Sequence, residues 1–472
     1  MKPRIRRYWI GAPLAVLLLA AGAVLATSQF TSAERSAAPE SASGDCVKIP
    51  QPPLGDLAGL PIAPDSERVD LCVPSFSNPT EITNPLFPVS DVPSSLQLGT
   101  VDGLPFRAEV ILLPDTKVIR WNGQRIETRV SQYSAYLDGR IHEVALDFYA
   151  QADDGSVWYF GEDVFNYEDG VVADLDGTWL AGKDGPAAMI MPANPQVGDV
   201  YRPENAPGFV FEQVVVQAIG ETVTGGPRGL VSGAIRVEEL HMDGGTEEKT
   251  FAPGYGEFTT GSGSNIETVA LAVATDALSS PTPVALQTLH SGAGDIFAAG
   301  DCGSASATLV TMTSAWAAFQ AAGGVPPLLQ AQMTDTLGAL TAAVAACNPA
   351  AMQNAALDTA QASLDLQLRH RPPTEIDLAR LDLWVQQLLV DAEAADAGAV
   401  AGDATTLEWL RDRVRHTVDP SDARLVDKQL RTIRSAADAE DFAKAADAAE
   451  ALRDVLADIE SEDAASLEVA DD

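Results

Sequence analysis

The residues best equipped for chemistry are acids set among aromatics. Asp147, Glu162 and Asp163 share a stretch with Tyr149, Trp158, Tyr159, Phe160, Phe165, Tyr167 and Trp179, in a chain only 6% aromatic. Two chemistries use such a mixture. Carboxyl groups about 5 to 9.5 Å apart across a cleft can hydrolyse a glycoside, which makes Asp147, Glu162 and Asp163 the candidates of a secreted hydrolase acting on a glycan or an ester. Aromatic faces can instead bury an apolar ligand or a sugar face. Trp158, Phe160 and Trp179 are then the expected walls of a binding site, with Tyr149 and Asp163 orienting the ligand. Binding is preferred, because no catalytic signature accompanies the acids, and packing as the core of a sheet is the competing reading of the rings.

Near-matches to known motifs fail on their chemistry. Gly177 to Asp184, GTWLAGKD, resembles a phosphate-binding loop, but it places Asp184 where Ser or Thr must hold magnesium, and Gly185-Pro186 opposes the helix that such a loop requires. His142-Glu143-Val144-Ala145-Leu146 starts like a metalloprotease signature and ends in Leu, on a segment read as a strand, where residues four apart lie about 13 Å apart. A Ser-His-Asp triad would have to draw on His142, His241 or His290, and no Gly-x-Ser-x-Gly elbow exists. His370 and His416 read as helix-terminal or solvated residues. Asp153, Asp154, Glu162, Asp163, Asp174 and Asp176 could offer oxygens to calcium, but they lack EF-hand spacing, and Asp is a common turn residue. Calcium is therefore the one cofactor entertained, as the stabiliser of a cell-surface structural protein.

The chain that must position these residues has 472 of them, enough for two or three domains. Its 67 acidic against 30 basic residues give a formal charge of −37, a field that repels nucleic acid and anionic headgroups. The partner expected is a small molecule, a glycan or a cell-envelope protein, with membrane contact only through the N-terminal segment. Lys2, Arg4, Arg6 and Arg7 precede an apolar run from Tyr8 to about Thr27, so residues 1–33 read as a signal peptide or an uncleaved membrane anchor, and the rest as extracytoplasmic. Residues 34–68, rich in Ala, Ser and Pro, read as a spacer. The four cysteines favour disulfides in such a compartment. Spacing suggests Cys46 with Cys72 and Cys302 with Cys347, and crossed pairing stays open.

Residues 69–278 read as an antiparallel β domain, because Asn122-Gly123, Asp138-Gly139, Asp154-Gly155, Asp169-Gly170 and Asp243-Gly244 punctuate stretches rich in Val, Ile, Tyr and Phe. Around Asp138-Gly139, a three-residue loop from Leu137 to Gly139 is expected, pairing Tyr136 with Arg140, Val130 with Leu146 and Arg129 with Asp147, so that apolar faces meet. Residues 279–301 read as a linker. From Cys302 the apolar period lengthens to about 3.6, which predicts a bundle of about six helices over 302–462. Three stripes face its core: Leu381, Trp384, Val385, Leu388 and Ala392; Val426, Leu430 and Ile433; Phe442, Ala445, Ala449, Leu452, Leu456 and Ile459. Residues 463–472 read as an acidic disordered tail. The fold class is thus α+β in several domains, a curved antiparallel sheet or half-barrel followed by a helical bundle.

The β part also carries recurring sequence signatures. Asp147-Phe148-Tyr149-Ala150-Gln151, Gly155-Ser156-Val157-Trp158-Tyr159-Phe160-Gly161-Glu162-Asp163, Trp179-Leu180-Ala181-Gly182, Ile190-Met191-Pro192-Ala193 and Phe251-Ala252-Pro253-Gly254-Tyr255-Gly256 resemble an uncharacterised family of secreted bacterial β-rich proteins over about residues 80 to 275. The resemblance implies a curved antiparallel sheet and carries no activity. The Gly-rich segment Val223 to Gly229 departs from it, which puts the pairing there in doubt.

Overall fold

The structure, a computed structural model, describes residues 46–299 and 301–470. The expected export segment 1–33, the first part of the spacer and the end of the acidic tail lie outside the described residues. Within them the chain is α+β: a large open antiparallel sheet followed by helices.

Fourteen strands build the sheet. The first five are β1 (Ser94–Val101), β2 (Leu104–Trp121), β3 (Gln124–Leu137), β4 (Arg140–Gln151) and β5 (Val157–Glu168), and the short β6 (Val171–Asp174), β7 (Trp179–Leu180) and β8 (Ala188–Met191) follow. The remainder are β9 (Val200–Ala206), β10 (Val210–Gly226), β11 (Gly229–His241), β12 (Thr246–Ala252), β13 (Gly256–Ser262) and β14 (Asn265–Val273). Their order is β6-β5-β4-β3-β2-β1-β14-β13-β12-β11-β10-β9, with β7 and β8 both attached to β5. Every neighbour along this path is sequential except β1 with β14, so the sheet is two meanders joined at their first and last strands. The doubtful Gly-rich segment does pair, β10 with β11 down to Gly226 opposite Gly229, through several register shifts.

The hairpins are set by turn chemistry. Asp102-Gly103, Asn122-Gly123, Asp138-Gly139 and Asp169-Gly170 each place both residues at positive φ, between 48° and 77°. That is the two-residue turn whose twist matches the strands it joins, and Asn or Asp followed by Gly tolerates it best. The three-residue loop expected at residues 137–139 is therefore wrong. Leu137 pairs with Arg140, Tyr136 with Ile141 and Val130 with Phe148. The apolar mismatch that argued against a two-residue loop is removed by an irregularity two pairs further on. Ala135 faces Glu143 while Tyr136 faces Ile141, so His142 is an extra residue on β4 and the register moves by one.

Eight helices follow: α1 (Val284–Phe297), α2 (Cys302–Ala322), α3 (Pro327–Ala346), α4 (Pro349–Gln367), α5 (Pro373–Glu393), α6 (Ala397–Val414), α7 (Pro420–Ala437) and α8 (Phe442–Ala470). The stretch 279–301, expected as a linker, contains α1, because Leu286, Leu289, Ala293 and Ile296 recur at helical spacing and are buried. The expected disordered tail is helical as far as Ala470, in a run of Ala, Glu and Leu that favours helix. Helices α1–α4 and one face of α5 share a core with Leu96, Leu271 and Val273 of β1 and β14. The three expected apolar stripes meet in a second core built by α5–α8. Trp384 stacks on Tyr136 at 5.6 Å and Trp409 lies 5.3 Å from Phe165, so α5 and α6 cover the outer face of β3–β5. Cys46 is bonded to Cys72, and Cys302 to Cys347.

Candidate functional site

Alternation along a strand sends neighbouring side chains to opposite faces, and the pairings show which residues share the inner one. Asp147 faces Glu162 across β4 and β5, and Tyr149 faces Tyr159. By plain alternation Glu162 would lie with Trp158 and Phe160. Gly161 prevents this: its φ is 115°, and a β-bulge there moves the strand on by one residue between the Tyr149–Tyr159 and Asp147–Glu162 pairs. Glu162 thus turns to the side of Tyr159, and Asp163 to the side of Phe160. A Cβ on residue 161 would stand 2.3 Å from the Trp179 carbonyl oxygen, so glycine is required twice over.

The inner face is concave. Strands β5 and β9 lie near opposite ends of the sheet, and in a flat sheet they would be about 48 Å apart at about 4.8 Å per strand. Instead β8, which pairs with β5, packs against β9, and the Glu162 and Glu204 carboxyls act on one another. Likewise Glu143 and Tyr133, on β4 and β3, feel the charge of Glu267, and Tyr133 also that of Glu257, across the bowl. The sheet curls around an interior lined by carboxyls.

On one wall of this interior lies a cavity of about 160 Å³, lined by Tyr133, Asp147, Tyr149, Tyr255 and Glu257 with Phe87, Val89, Val92, Val110 and Leu112. The rings are ordered against one another: Tyr149 stacks on Tyr159 at 4.8 Å, and Phe87 meets Tyr149 edge-on at 5.0 Å. Tyr159 Oη donates to Asp147 Oδ1 at 2.7 Å. Burial pushes Asp147 up to about 7, a rise that the hydroxyls of Tyr159 and Tyr149 restrain by stabilising its charge. Glu143 goes up to about 8 through burial and then the neighbouring Asp147 and Glu267 charges. Burial, then a neighbouring acid, Glu204 for Glu162 and Glu212 for Glu204, holds both carboxyls well above the carboxylate range. No residue lining the cavity is basic.

A second group lies on β10–β12. Glu212 pairs with His241 across the strands, and Glu239 with Glu247. Lys249 is the ammonium of this group, 3.0 Å from Glu239 Oε1. Burial would lower its pKa, but Glu239, Glu257 and Glu212 raise it well above normal, so it stays charged.

The residues expected to form the site separate. Tyr149 lines the cavity, and Trp179 stands behind it, edge-on to Tyr159 at 5.5 Å. Trp158 and Phe160 lie on the opposite face with Trp121, fully buried, and Trp158 Nε1 donates to Ser156 Oγ at 2.9 Å. Asp163 is on that face too, paired with Lys117 Nζ at 3.0 Å, and the same ammonium sits over the Phe148 ring. Three of the turn acids entertained for calcium are occupied locally. Asp153 accepts from Ser77, Asp154 from Ser156, and Asp174 from Asn166. Among the described residues none of them joins a group of three converging ligands. Tyr133, Glu204, Glu212, Glu239, Glu257 and Glu267 escaped the sequence reading, and Glu143 entered it only within a failed zinc motif. Their one signal is Glu or Tyr at alternate strand positions between apolar residues, as in Glu239-Leu240-His241, which also marks any half-exposed strand.

No family model matches this chain, and neither does any curated protein or solved structure. No helix among the described residues is long and apolar enough to cross a membrane.

Proposed function

We propose that the protein is an exported binding protein whose curved sheet holds a small ligand, an amine carried on an apolar or aromatic body. The observation that carries this reading is the lining of the 160 Å³ cavity: tyrosine and phenylalanine faces with Asp147, a carboxyl whose hydrogen-bond partner is a tyrosine hydroxyl, and Glu257, whose cation Lys249 stands 4.0 Å away outside the wall. Aromatic faces attract a cation and bury its apolar body, and an ammonium beside Asp147 would favour the ionised carboxylate. Two disulfides and the N-terminal apolar run support export. Native mass spectrometry and thermal shift against a panel of small aromatic and aliphatic amines and neutral monosaccharides test it. Amine binding that Asp147→Asn and Tyr149→Ala abolish is expected. Capture of neutral sugars unaffected by Asp147→Asn would replace the amine with a glycan, and no binding by any member would end the reading.

A carboxylate-dependent hydrolase is a second reading, favoured by Asp147 and Glu162 being direct cross-strand partners with raised pKa, the state a general acid needs. Glu162 is outside the cavity wall, which favours binding. Turnover from a glycan and ester panel, lost in Asp147→Asn, would reverse the preference.

A further inference from the structure

The β10–β12 group uses residues separate from the cavity, and it sets three carboxyls, Glu212, Glu239 and Glu247, around one imidazole and one ammonium, His241 and Lys249. One ligand atom from each of Glu212, Glu239 and His241 lies within 4.8 Å of the other two. His241 Nδ1 is 3.5 Å from Glu212 Oε1, and its Nε2 is 3.8 Å from Glu239 Oε1 and 3.9 Å from Glu247 Oε2. The histidine side chain is only 5% exposed, yet Nε2 makes no hydrogen bond, and neither does Glu247 Oε2. A buried imidazole nitrogen without a partner is costly, and here it is aimed among carboxylates too distant to accept from it. Lys249 serves Glu239 at 3.0 Å and Glu257 at 4.0 Å, so the group nearest Glu212 and Glu247 is the His241 imidazole, a cation only when protonated.

We propose that Glu212, Glu239 and His241 form a mixed nitrogen and oxygen site for one divalent transition-metal ion, with Glu247 as a fourth ligand within reach of the imidazole. Ligands bound tetrahedrally to one zinc ion at about 2.0 to 2.2 Å lie about 3.3 to 3.6 Å apart, so the widest separation in the group must close by up to about 1.3 Å on the metal. The donor set selects the ion. Imidazole suits zinc and its neighbours, while a site built for calcium would be all oxygen. The metal would take over from Lys249 as the principal counter-charge of Glu239. All of the ligands stand on paired strands rather than on a loop, which holds them near this geometry without the metal.

The test is calorimetric titration of the chelator-stripped full chain with Zn²⁺, Mn²⁺ and Ca²⁺ in turn, with native mass spectrometry for stoichiometry. One equivalent of Zn²⁺ or Mn²⁺ is expected, with Ca²⁺ at least about tenfold weaker and a melting temperature that rises with metal concentration. His241→Gln and Glu212→Gln should each weaken binding at least about tenfold. If His241→Gln does not melt cooperatively, Glu212→Gln, at a half-buried position, decides alone. The proposal is overturned by an absence of stoichiometric binding, by several weak equivalents that the variants leave unchanged, or by Ca²⁺ binding as tightly as Zn²⁺. Since Asp147 and Tyr149 are not among the ligands, amine binding can fail while this site stands, and the reverse.

Discussion

Arg413 on α6 donates through Nη1 to Glu109 Oε2 on β2 at 2.5 Å, with both side chains almost completely buried. The pair is the centre of a network. Arg413 also reaches Gln132 and Ser134 on β3, Arg107 makes two bonds to Asp365 on α4 at 2.6 and 2.8 Å, and Arg380 on α5 joins Asp365 to Asp377. Burial alone would raise Glu109, but Arg380, Arg107 and Arg413 pull it far below the carboxylate range. Sheet and bundle are thus joined by matched buried charges as well as by apolar contact.

Removing one member leaves its partners charged and dry. Arg413→Ala should destabilise the protein by about 3 to 5 kcal/mol, the cost of breaking a buried pair from one side. Arg413→Lys should recover only part of this, because an ammonium cannot reproduce the guanidinium fork to Glu109, Gln132 and Ser134. Urea unfolding of both variants checks it. A loss under about 1 kcal/mol for Arg413→Ala would mean that water replaces the guanidinium and that the network is not the joint described.

Gly161→Ala should be costly out of proportion to its size. The position combines φ of 115° with a Trp179 carbonyl oxygen 2.3 Å from the new Cβ. A loss of at least about 2 kcal/mol is expected from the backbone conformation alone. Since the bulge sets the register in which Tyr159 stacks on Tyr149 and donates to Asp147, amine binding should fall as well, while Gly139→Ala, at an open turn with nothing within 4 Å of the added Cβ, should leave binding intact.

These two glycines also show what the sequence made legible. Asp138-Gly139 announced a hairpin, and the 3.6-residue spacing of Leu381, Val385 and Leu388 announced a helix, because each signal is local. The register and the site were not local. The extra His142 and the bulge at Gly161 each reverse which face the following residues take, and no periodicity marks a single inserted residue. Trp158 and Phe160 read as walls of one site with Tyr149, yet they lie on the opposite face of the sheet. Glu204 and Glu267 belong to the interior only because the sheet curls, a property of all its strands together. An acid in a strand reads as solvent-facing until its opposite wall is known.

The two disulfides should contribute unequally only in so far as their loops differ. Sequence separations of 26 and 45 residues both correspond to roughly 3 to 4 kcal/mol in the loop-entropy account. Cys302→Ala with Cys347→Ala should lower stability by about that much and leave the sheet folded, since this bridge joins the start of α2 to the end of α3. Calorimetry of the double variant, with far-ultraviolet circular dichroism to follow the strands, measures both. Loss of the β signal together with the helical one would show that the helical half cannot loosen alone.

Stability should fall as pH rises from 5.5 to 8.5. Glu143 and Glu267 titrate near 8 in the folded chain and Asp147 near 7, through burial first and neighbouring negative charge next for the two glutamates. In the unfolded chain these groups titrate near 4. Between about pH 4 and 8 the folded state therefore holds protons that the unfolded state has lost, and by linkage stability declines with pH across that window and levels off above it. Asp365, which Arg107 and Arg380 pull below its normal range against the effect of burial, acts in the ordinary sense, and its contribution is lost only on acidification below that window. His290, lowered by burial, opposes the trend as a single group. A melting temperature lower at pH 8.5 than at pH 5.5 by at least about 4 °C is expected for a chain of this size. Glu143→Gln, which imitates the protonated carboxyl, should flatten the slope and melt higher than the parent at pH 8.5. A profile that is level or rising over this window would show that water reaches these carboxyls and that the bowl is not the dry, acid-lined interior on which the cavity depends.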